Sequence, residues 1–339
     1  MKAVKKITIA LAAMFPFSDV DAREWQPDVL GESYEMTRIE QPDDYSGKVR
    51  STVIRHTTEK KGDKALLYVH GYNDYFFQSE LGDCVVSHGL GFYAVDLRKY
   101  GRSLMEGQNR FEVRSLKEYF ADVDSALNVM KEDGYREIVL MGHSTGGLIL
   151  SYYMSNNQDQ HPEVRGLVLN SPFLDMNLSK FLEKVMVPVV SVLPFKNIKI
   201  SQGDSNAYAQ SLLKGYHGEW SYDTSWKLEV SPDVTTGWVR AIHKGQKHLW
   251  KHAGIKVPIL LMHSDKSVYG DEWSPAHNSG DAVLDVDDIS KYGRRLGDKV
   301  TEVTVTDGLH DLILSRRDVR EKAYASIFEW IDSLGLSED

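Results

Sequence analysis

The stretch REIVLMGHSTGGLILSYYM, residues 136–154, decides the predicted fold. Its first part, EIVLMGHS, is a short apolar run typical of a buried strand, and a helical pattern follows directly. The junction carries the GxSxG pattern GHSTG, in which Gly142 and Gly146 flank Ser144 at two residues on either side. A serine on such a sharp turn needs those glycines, because side chains there would clash with the tight backbone. The motif indicates a nucleophilic serine at the positive end of a helix; the alternative is a structural serine in a tight turn.

Strand-like and helical segments alternate along the rest of the chain. Ser115 and Glu118 form a capping box, and apolar residues from Leu116 to Met130 then recur at helical spacing. Short runs rich in Val, Ile, Leu and Tyr suit strands that are buried on both faces of a parallel sheet. The alternation predicts an α/β fold with a doubly wound, mostly parallel sheet. Besides residues 137–144, the predicted strands are 64–71, 91–97, 165–171, 257–263 and 299–305.

One interval interrupts this alternation. About 85 residues, 172–256, separate two of the predicted strands. A connection of that length rarely lacks structure of its own, and this one contains helical stretches, prolines and many Trp and Tyr residues. We therefore predict an inserted helical cap at 172–256, on a core formed by residues 23–171 and 257–339.

The N-terminus has the three-part plan of a secretory signal. The basic segment MKAVKK is followed by an 11-residue apolar stretch, ITIALAAMFPF, and then by small residues at Val20 and Ala22. We predict that residues 1–22 are a signal peptide, cleaved after Ala22, and that the protein is exported to a periplasm or the extracellular space. The alternative is a buried N-terminal strand or helix in a cytoplasmic protein.

Composition excludes several classes of function. The net charge is −9, and no dense stripe of Lys and Arg is present, so nucleic acid is not expected as a partner. Cys84 is the only cysteine, which rules out an intrachain disulfide. No apolar run approaches the ~20 residues that a membrane span requires. His243, His248 and His252 lack the companions of a metal motif and indicate a polar helix face.

A serine hydroxyl becomes nucleophilic only when a base removes its proton. In TVTDGLHDLIL, His310 follows the last predicted strand. Parallel strands end at one edge of a sheet, so the loops carrying Ser144 and His310 can meet there. His70 and His263 also lie at strand ends, but we expect them to support backbone geometry. His310 is the predicted base.

The developing oxyanion requires N–H donors that are already in place. One candidate is the backbone N–H of Thr145, immediately after the serine. The second is the backbone N–H of Tyr72 in VHGYNDYFF, where Gly71 allows close approach of the backbone. The aromatic residues at 75–77 either line an acyl pocket or cover the core.

Four motifs, HGYND, DLRKYGRSL, GHSTGG and GLHD, occur in an order and spacing that resemble the α/β-hydrolase superfamily. The chain is most similar to the monoglyceride lipase and lysophospholipase group, often described as serine aminopeptidase-like, over about residues 25–335. The resemblance implies a Ser-Asp/Glu-His triad, no cofactor, and hydrolysis of carboxylic esters through an acyl-enzyme. The motifs are specific for fold and catalytic class and much less specific for substrate.

The acidic member of the triad departs from the family pattern. The family's position for it falls on Ser267 in HSDKS, and a serine cannot supply negative charge. Asp265 could serve directly. Alternatively, VYGDEWSPAHNSG is an insertion and the pattern resumes at DAVLDVDDISKYGRRLG, which puts Asp281 at the acid position, 29 residues before His310. We favour Asp281 over Asp265 and Asp285, and take the nearby Asp271 and Glu272 as solvated loop charges.

The predicted function is that of a serine esterase of carboxylesterase or monoacylglycerol lipase type. The interval 172–256, which is rich in Trp and Tyr, suggests a substrate with an apolar acyl group. An aminopeptidase is one alternative, and it would need an acidic group in the cap to bind the substrate amine. The acidic residues considered for this role are Glu183, Asp204, Glu219 and Asp223. A ligand receptor that retains the triad but turns over slowly is a further alternative.

Overall fold

The computed structural model describes residues 23–59, 62–176 and 199–336. The predicted signal peptide, residues 1–22, lies outside the described residues. The same holds for the first helical stretch of the predicted cap, LSKFLEKVMVPVVSVLPF.

Nine strands form one twisted sheet in the order β1-β2-β3-β5-β4-β6-β7-β10-β11. From β5 to β11 the neighbours in this order pair in parallel, whereas β1 to β3 and the β3–β5 pair are antiparallel. The doubly wound, mostly parallel sheet of an α/β-hydrolase fold is thus confirmed. The strands are β1 Gln26–Asp28, β2 Gly31–Asp44, β3 Gly47–His56, β4 Lys64–Val69, β5 Gly91–Asp96, β6 Glu137–His143, β7 Val164–Asn170, β8 Lys199–Ile200, β9 Val234–Thr235, β10 Ile259–Ser264 and β11 Val300–Val305.

Each of the six predicted strands is present within one or two residues of its expected bounds. Strands β1, β2 and β3 were not among those predicted from the sequence. These strands form the antiparallel edge of the sheet, and β2 carries mostly exposed or half-buried side chains instead of an apolar run. A half-exposed edge strand gives a weaker hydrophobic signal than a strand buried on both faces.

Helices cover both faces of the sheet. Alternate residues of β4 point to opposite sides: Leu67 joins the cluster formed with α2, α3 and α5, and Leu66 joins the cluster formed with α1 and α7. The α-helices are α1 Ser79–Ser87, α2 Phe120–Glu132, α3 Thr145–Asn157, α4 Ala207–Leu212, α5 Thr236–His252, α6 Val286–Gly293 and α7 Arg317–Ser333. Short 3-10 helices occupy Gly101–Ser103, Leu116–Tyr119, Gln158–Gln160, Pro275–Asn278 and Leu312–Leu314.

The described part of the interval 172–256 contains α4, α5 and the two-stranded ribbon of β8 and β9. Thr235 caps helix α5 by accepting a hydrogen bond from Trp238 N at 3.1 Å. Its buried residues, among them Trp238 and Ile242, pack in the same cluster as α3. His248 of this helix lies 3.0 Å from the hydroxyl of Ser155 on α3. Within the described residues, no helix combines the length and the apolar character needed to cross a membrane.

The parallel strands bring distant loops to one edge. The loop after β4 starts at His70, Ser144 follows β6, and His310 lies five residues after β11. All of these loops follow the carboxyl ends of parallel neighbours, where open α/β sheets form their binding crevices. The candidate site is built at this edge.

Candidate active site

Ser144 occupies a strained turn between β6 and α3. Its φ is +51° and its ψ is −115°, a region that a non-glycine residue enters only at a cost of about 1–3 kcal/mol. Neighbouring loops hold it there: Ser144 N donates to Asn170 O at 3.0 Å, and Ser144 O accepts from Phe173 N at 3.0 Å. The backbone of the turn is therefore held by the strand next to it.

The two glycines of the motif are required by close backbone contacts. A Cβ atom on Gly142 would lie 2.7 Å from backbone atoms of Gly146 and Gly147, and one on Gly146 would lie 2.3 Å from Val69 O. Both distances are below any normal contact, and backbone atoms cannot rotate away. This agrees with the steric reason given for the GxSxG pattern.

The two candidate oxyanion donors, the N–H groups of Thr145 and Tyr72, belong to segments that adjoin the serine. Thr145 is the first residue of α3, so its N–H has no acceptor within the helix. The loop after β4 passes directly beside Ser144: a Cβ atom on Gly71 would be 3.2 Å from Ser144 Cβ. Tyr72, the next residue, packs its ring against Phe111 and Trp238, with centroid distances of 5.1 and 4.9 Å.

His70 shapes this loop. Its Nε2 accepts from Leu97 N at 3.1 Å, so Nδ1 carries the proton and donates to Gly71 O at 2.8 Å. Burial lowers the pKa of His70 and favours this neutral form. His263 makes a comparable contact with Ser264 O at 2.7 Å and a second with Glu302 at 3.0 Å. Both histidines have the backbone-supporting contacts expected for them.

His310 forms a buried pair with Asp281. Its Nδ1 lies 2.8 Å from Asp281 Oδ2, and both residues are at most 2% exposed. The other oxygen, Asp281 Oδ1, accepts hydrogen bonds from the N–H groups of Val283 and Leu284 at 2.8 and 2.7 Å. Since a carboxylate only accepts, Nδ1 carries the proton and Nε2 is left as the basic nitrogen. The His310 ring lies 4.9 Å from that of His143, next to Ser144.

Asp281 reaches His310 because residues 268–280 leave the sheet edge and return. Val268 N donates to Asp281 O at 2.7 Å, and Asp281 N donates to Lys266 O at 2.9 Å, so the two ends of the excursion are joined. Ser267, the residue at the family's acid position, instead supports the turn. Its hydroxyl donates to Leu284 O and accepts from Val286 N.

The other acidic residues of this stretch have different partners. Asp265 Oδ1 accepts from Asp307 N at 2.9 Å. Asp285 caps α6 by accepting from Asp287 N at 3.0 Å. Asp271 and Glu272 are exposed, as expected for loop charges.

A buried charged cluster lies behind the serine turn, and the sequence analysis did not identify it. His143 Nδ1 is 3.7 Å from Asp74 Oδ2 and 3.8 Å from Asp311 Oδ2, and Lys227 Nζ is 3.0 Å from Asp74 Oδ1. Asp74, His143 and Asp311 sit inside the motifs HGYND, GHSTGG and GLHD. Ionisable residues in motifs that directly follow buried strands were the signal that could have revealed this cluster.

The cluster has the composition of a cation site, since ligand atoms of its two aspartates and its histidine lie within 4.8 Å of one another. However, the Lys227 ammonium already provides a positive charge beside Asp74. The oxygens of Asp311 accept from the side-chain amides of Asn170 and Gln78, at 2.7 and 3.4 Å. We therefore assign no metal to this cluster.

Of the four residues considered for binding a substrate amine, the three that the structure describes are exposed or have other partners. Glu219 pairs with Arg320. Asp223 closes a turn by accepting from Ser225 N at 2.7 Å. Asp204 is exposed, and Glu183 lies outside the described residues.

Comparisons with known proteins identify one matching family and several structures of similar fold. The sequence model of the family described as serine aminopeptidase, S33, matches residues 60–274. A search of curated protein sequences finds no match. Among solved structures, a soluble variant of the Saccharomyces cerevisiae monoglyceride lipase, in complex with a substrate analogue, is similar at 15% identity and a TM-score of 0.61, covering 96% of this chain and 100% of its own. The Paleococcus ferrophilus monoacylglycerol lipase is similar at 18% identity and a TM-score of 0.56, covering 88% and 99%.

A third similar structure is a thermophilic esterase from Thermogutta terrifontis, with malate bound. It shares 15% identity at a TM-score of 0.56, covering 88% of this chain and 100% of its own. At these identities the three structures establish the likeness of the fold.

Proposed function

Because this chain belongs to the serine aminopeptidase S33 family, we propose that it is a serine hydrolase that cleaves carboxylic esters through an acyl-enzyme. The observation that carries the proposal is the buried pair of His310 and Asp281 at the sheet edge that also bears Ser144 on its strained turn. The names of the similar structures, two lipases and an esterase, favour esters over amides.

In the proposed acylation step, Ser144 Oγ attacks the ester carbonyl carbon while His310 Nε2 takes the hydroxyl proton. The carbonyl oxygen becomes an oxyanion, which the backbone N–H groups of Thr145 and Tyr72 bind. Asp281 keeps the His310 Nδ1–H oriented and stabilises the imidazolium. Collapse of the tetrahedral intermediate breaks the bond to the alcohol oxygen, which takes the proton from His310.

Deacylation repeats these steps with water. His310 removes a proton from a water molecule that attacks the acyl-enzyme carbonyl, and the same N–H groups bind the second oxyanion. The bond to Ser144 Oγ breaks, the serine recovers its proton from His310, and the carboxylic acid leaves. Every proton transferred in this cycle passes through His310 Nε2, to or from Ser144, the leaving alcohol or the attacking water.

An apolar acyl group is the proposed substrate feature. Leu309, next to His310, belongs to a small buried cluster with Tyr75 and Phe77, and the ring of Tyr208 lies 5.9 Å from that of His310. Phe76, by contrast, packs in the core beneath the sheet. Nitrophenyl esters and monoacylglycerols of graded chain length, with aminoacyl nitroanilides beside them, measure both the chain-length preference and the preference for esters over amides.

Replacement of the serine tests the proposal. Ser144→Ala should lower kcat for a nitrophenyl ester by about 10⁴-fold or more, because the nucleophile is lost while the binding surfaces remain. Steady-state hydrolysis is the measurement, with Ser326→Ala on the exposed face of α7 as the control. Undiminished turnover by Ser144→Ala would exclude the acyl-enzyme. A stoichiometric burst of alcohol followed by negligible turnover of the unmodified protein would instead indicate the slow-turnover receptor.

A further inference from the structure

The loop that carries Tyr72 is anchored in the core at both of its ends. His70 ties the start of the loop to Leu97, as described above. At the far end, Phe76 N donates to Asp96 Oδ1 at 2.9 Å, and the guanidinium of Arg102 donates to Phe76 O at 2.9 Å. The residues between these anchors, 72–75, need additional contacts to keep a fixed position.

Residues 73–75 are held by the segment 223–228, which belongs to the interval 172–256, whereas the Tyr72 ring packs against Phe111 and Trp238. The side chain of Asn73 pairs with the backbone of Leu228 in both directions, with Asn73 Nδ2 2.8 Å from Leu228 O and Leu228 N 2.9 Å from Asn73 Oδ1. Tyr75 OH accepts from Asp223 N at 2.8 Å. Asn73 adopts a φ of +49°, so this contact also stabilises a conformation that asparagine tolerates better than most residues.

A further link in this contact is a buried ion pair between Lys227 and Asp74. The two side chains approach to 3.0 Å, Asp74 is 0% exposed and Lys227 is 5% exposed. Asp74 Oδ2 has no hydrogen-bond partner among the described residues. Burial by itself raises the pKa of Asp74, but the Lys227 ammonium, together with His143 and His70, outweighs it and holds that pKa below its usual range. Lys227 is the largest of these stabilising influences on the Asp74 carboxylate.

We infer that Lys227 is a positioning residue for the oxyanion hole, acting through Asp74 on the backbone N–H of Tyr72. The inference rests on the proposed function, since it concerns the same site. Thr145 needs no such support, because α3 and the sheet fix its N–H. Tyr72 lies two residues before Asp74 in a loop without regular structure. Without Lys227, the buried Asp74 carboxylate would keep only the more distant His143, 3.7 Å away, beside it. Proteins avoid such weakly compensated buried charges by moving the chain or admitting water.

The test uses Lys227→Met in the full-length protein. We expect kcat for a nitrophenyl ester to fall roughly 30- to 100-fold, because small displacements of an oxyanion donor have costs of that order. KM should stay within about threefold, since the ground-state ester gains little from this N–H. The matched control is Lys256→Met, which removes a lysine from an exposed pair with Asp159 and should leave kcat unchanged.

Two further measurements separate positioning from a merely structural role. An alkyl fluorophosphonate, allowed to react to completion, counts the folded sites with a reactive serine, and kcat is expressed per titrated site. A loss of folded protein lowers the titre and leaves kcat per site unchanged; that outcome overturns the inference. An alkyl boronic acid forms a tetrahedral adduct with its oxygen in the oxyanion hole, so its affinity should fall in parallel with kcat in Lys227→Met. Lys227→Arg, which retains the charge, should recover most of both.

If Lys227→Met does not fold, Asn73→Gly is the substitute. It removes the two contacts to Leu228, and glycine accepts the positive φ; kcat per site should fall about tenfold. Unchanged kcat and boronate affinity in the folded variant would overturn the inference while leaving the proposed function intact. Failure of Ser144→Ala to lower ester hydrolysis would instead overturn the proposed function, whatever the Lys227 variants do.

Discussion

The carboxylate of Asp281 has a complete set of donors. Its two oxygens together accept from two backbone N–H groups and from His310. Such donors compensate a buried carboxylate for the water that it has lost. Asp265, by comparison, is part of a half-exposed network with Lys266 and Asp307. At the scale of single residues, hydrogen bonding therefore favours Asp281 as the partner of the proposed base.

Asp281→Asn should lower kcat for ester hydrolysis by about 10⁴-fold, because an amide can donate to His310 Nδ1 and stabilise the wrong tautomer. Steady-state kinetics on a nitrophenyl ester measure the loss. Asp265→Asn is the matched control and should retain nearly full activity. If the two results were exchanged, the acid would have to be reassigned to Asp265.

The junction of β6 and α3 is an element whose shape depends on the absence of two side chains. Gly142 lies against the first turn of α3, and Gly146 lies against the carbonyl oxygens at the end of β4. The helix can approach the sheet this closely only because neither residue has a Cβ. That approach is what sets the N-terminus of α3 beside Ser144.

Gly146→Ala should destabilise the protein by about 2 kcal/mol or more, because the new methyl group would collide with backbone atoms that cannot give way. Its Cβ would be 2.3 Å from Val69 O and 2.5 Å from His70 O. Thermal or urea unfolding measures the change, and hydrolysis should also fall, since α3 would have to move. Gly215→Ala is a suitable comparison, because no atom lies within 4 Å of the added Cβ. Equal stability of the two variants would contradict the steric argument.

At the scale of the whole molecule, the parallel sheet is what assembles the site. Residues separated by 166 positions, Ser144 and His310, belong to loops at the same edge because β6 and β11 run in the same direction. The free-energy cost of the strained backbone at Ser144 is offset by the large apolar core on both faces of the sheet. The interval 172–256 adds Lys227 to the side of the loop that carries Tyr72.

Export is the prediction that concerns the chain as a whole. The basic, apolar and small-residue segments of residues 1–22 lead us to propose a signal peptide. Protein purified from its native source should begin at Arg23, as N-terminal sequencing would detect, and should be recovered outside the cytoplasm. Native protein that retains Met1 would exclude this proposal.

Some parts of the fold could be predicted from the sequence and others could not. The six parallel strands were predicted because each is a local apolar run. The capping box at Ser115 was predicted because its two partners are three residues apart. The antiparallel strands β1 to β3 were missed: β2 is largely exposed or half-buried, and β3, although buried at its centre, has polar residues such as Ser51 and Thr52 among its apolar ones. The links between Asp74 and Lys227 were missed for a different reason: nothing local marks two residues 153 positions apart as partners.

By itself the sequence determined the strand–turn–helix at Ser144 and the positions of the parallel strands along the chain, since glycine sterics and runs of apolar residues act over a few neighbouring positions. It narrowed the partner of His310 to three aspartates. Only the tertiary structure paired His310 with Asp281 and placed Lys227 against Asp74, because those contacts depend on where an excursion rejoins the sheet edge and on how a distant segment packs. Steric constraints between adjacent residues can be recognised in the sequence, whereas the pairing of buried charges depends on how the whole chain packs.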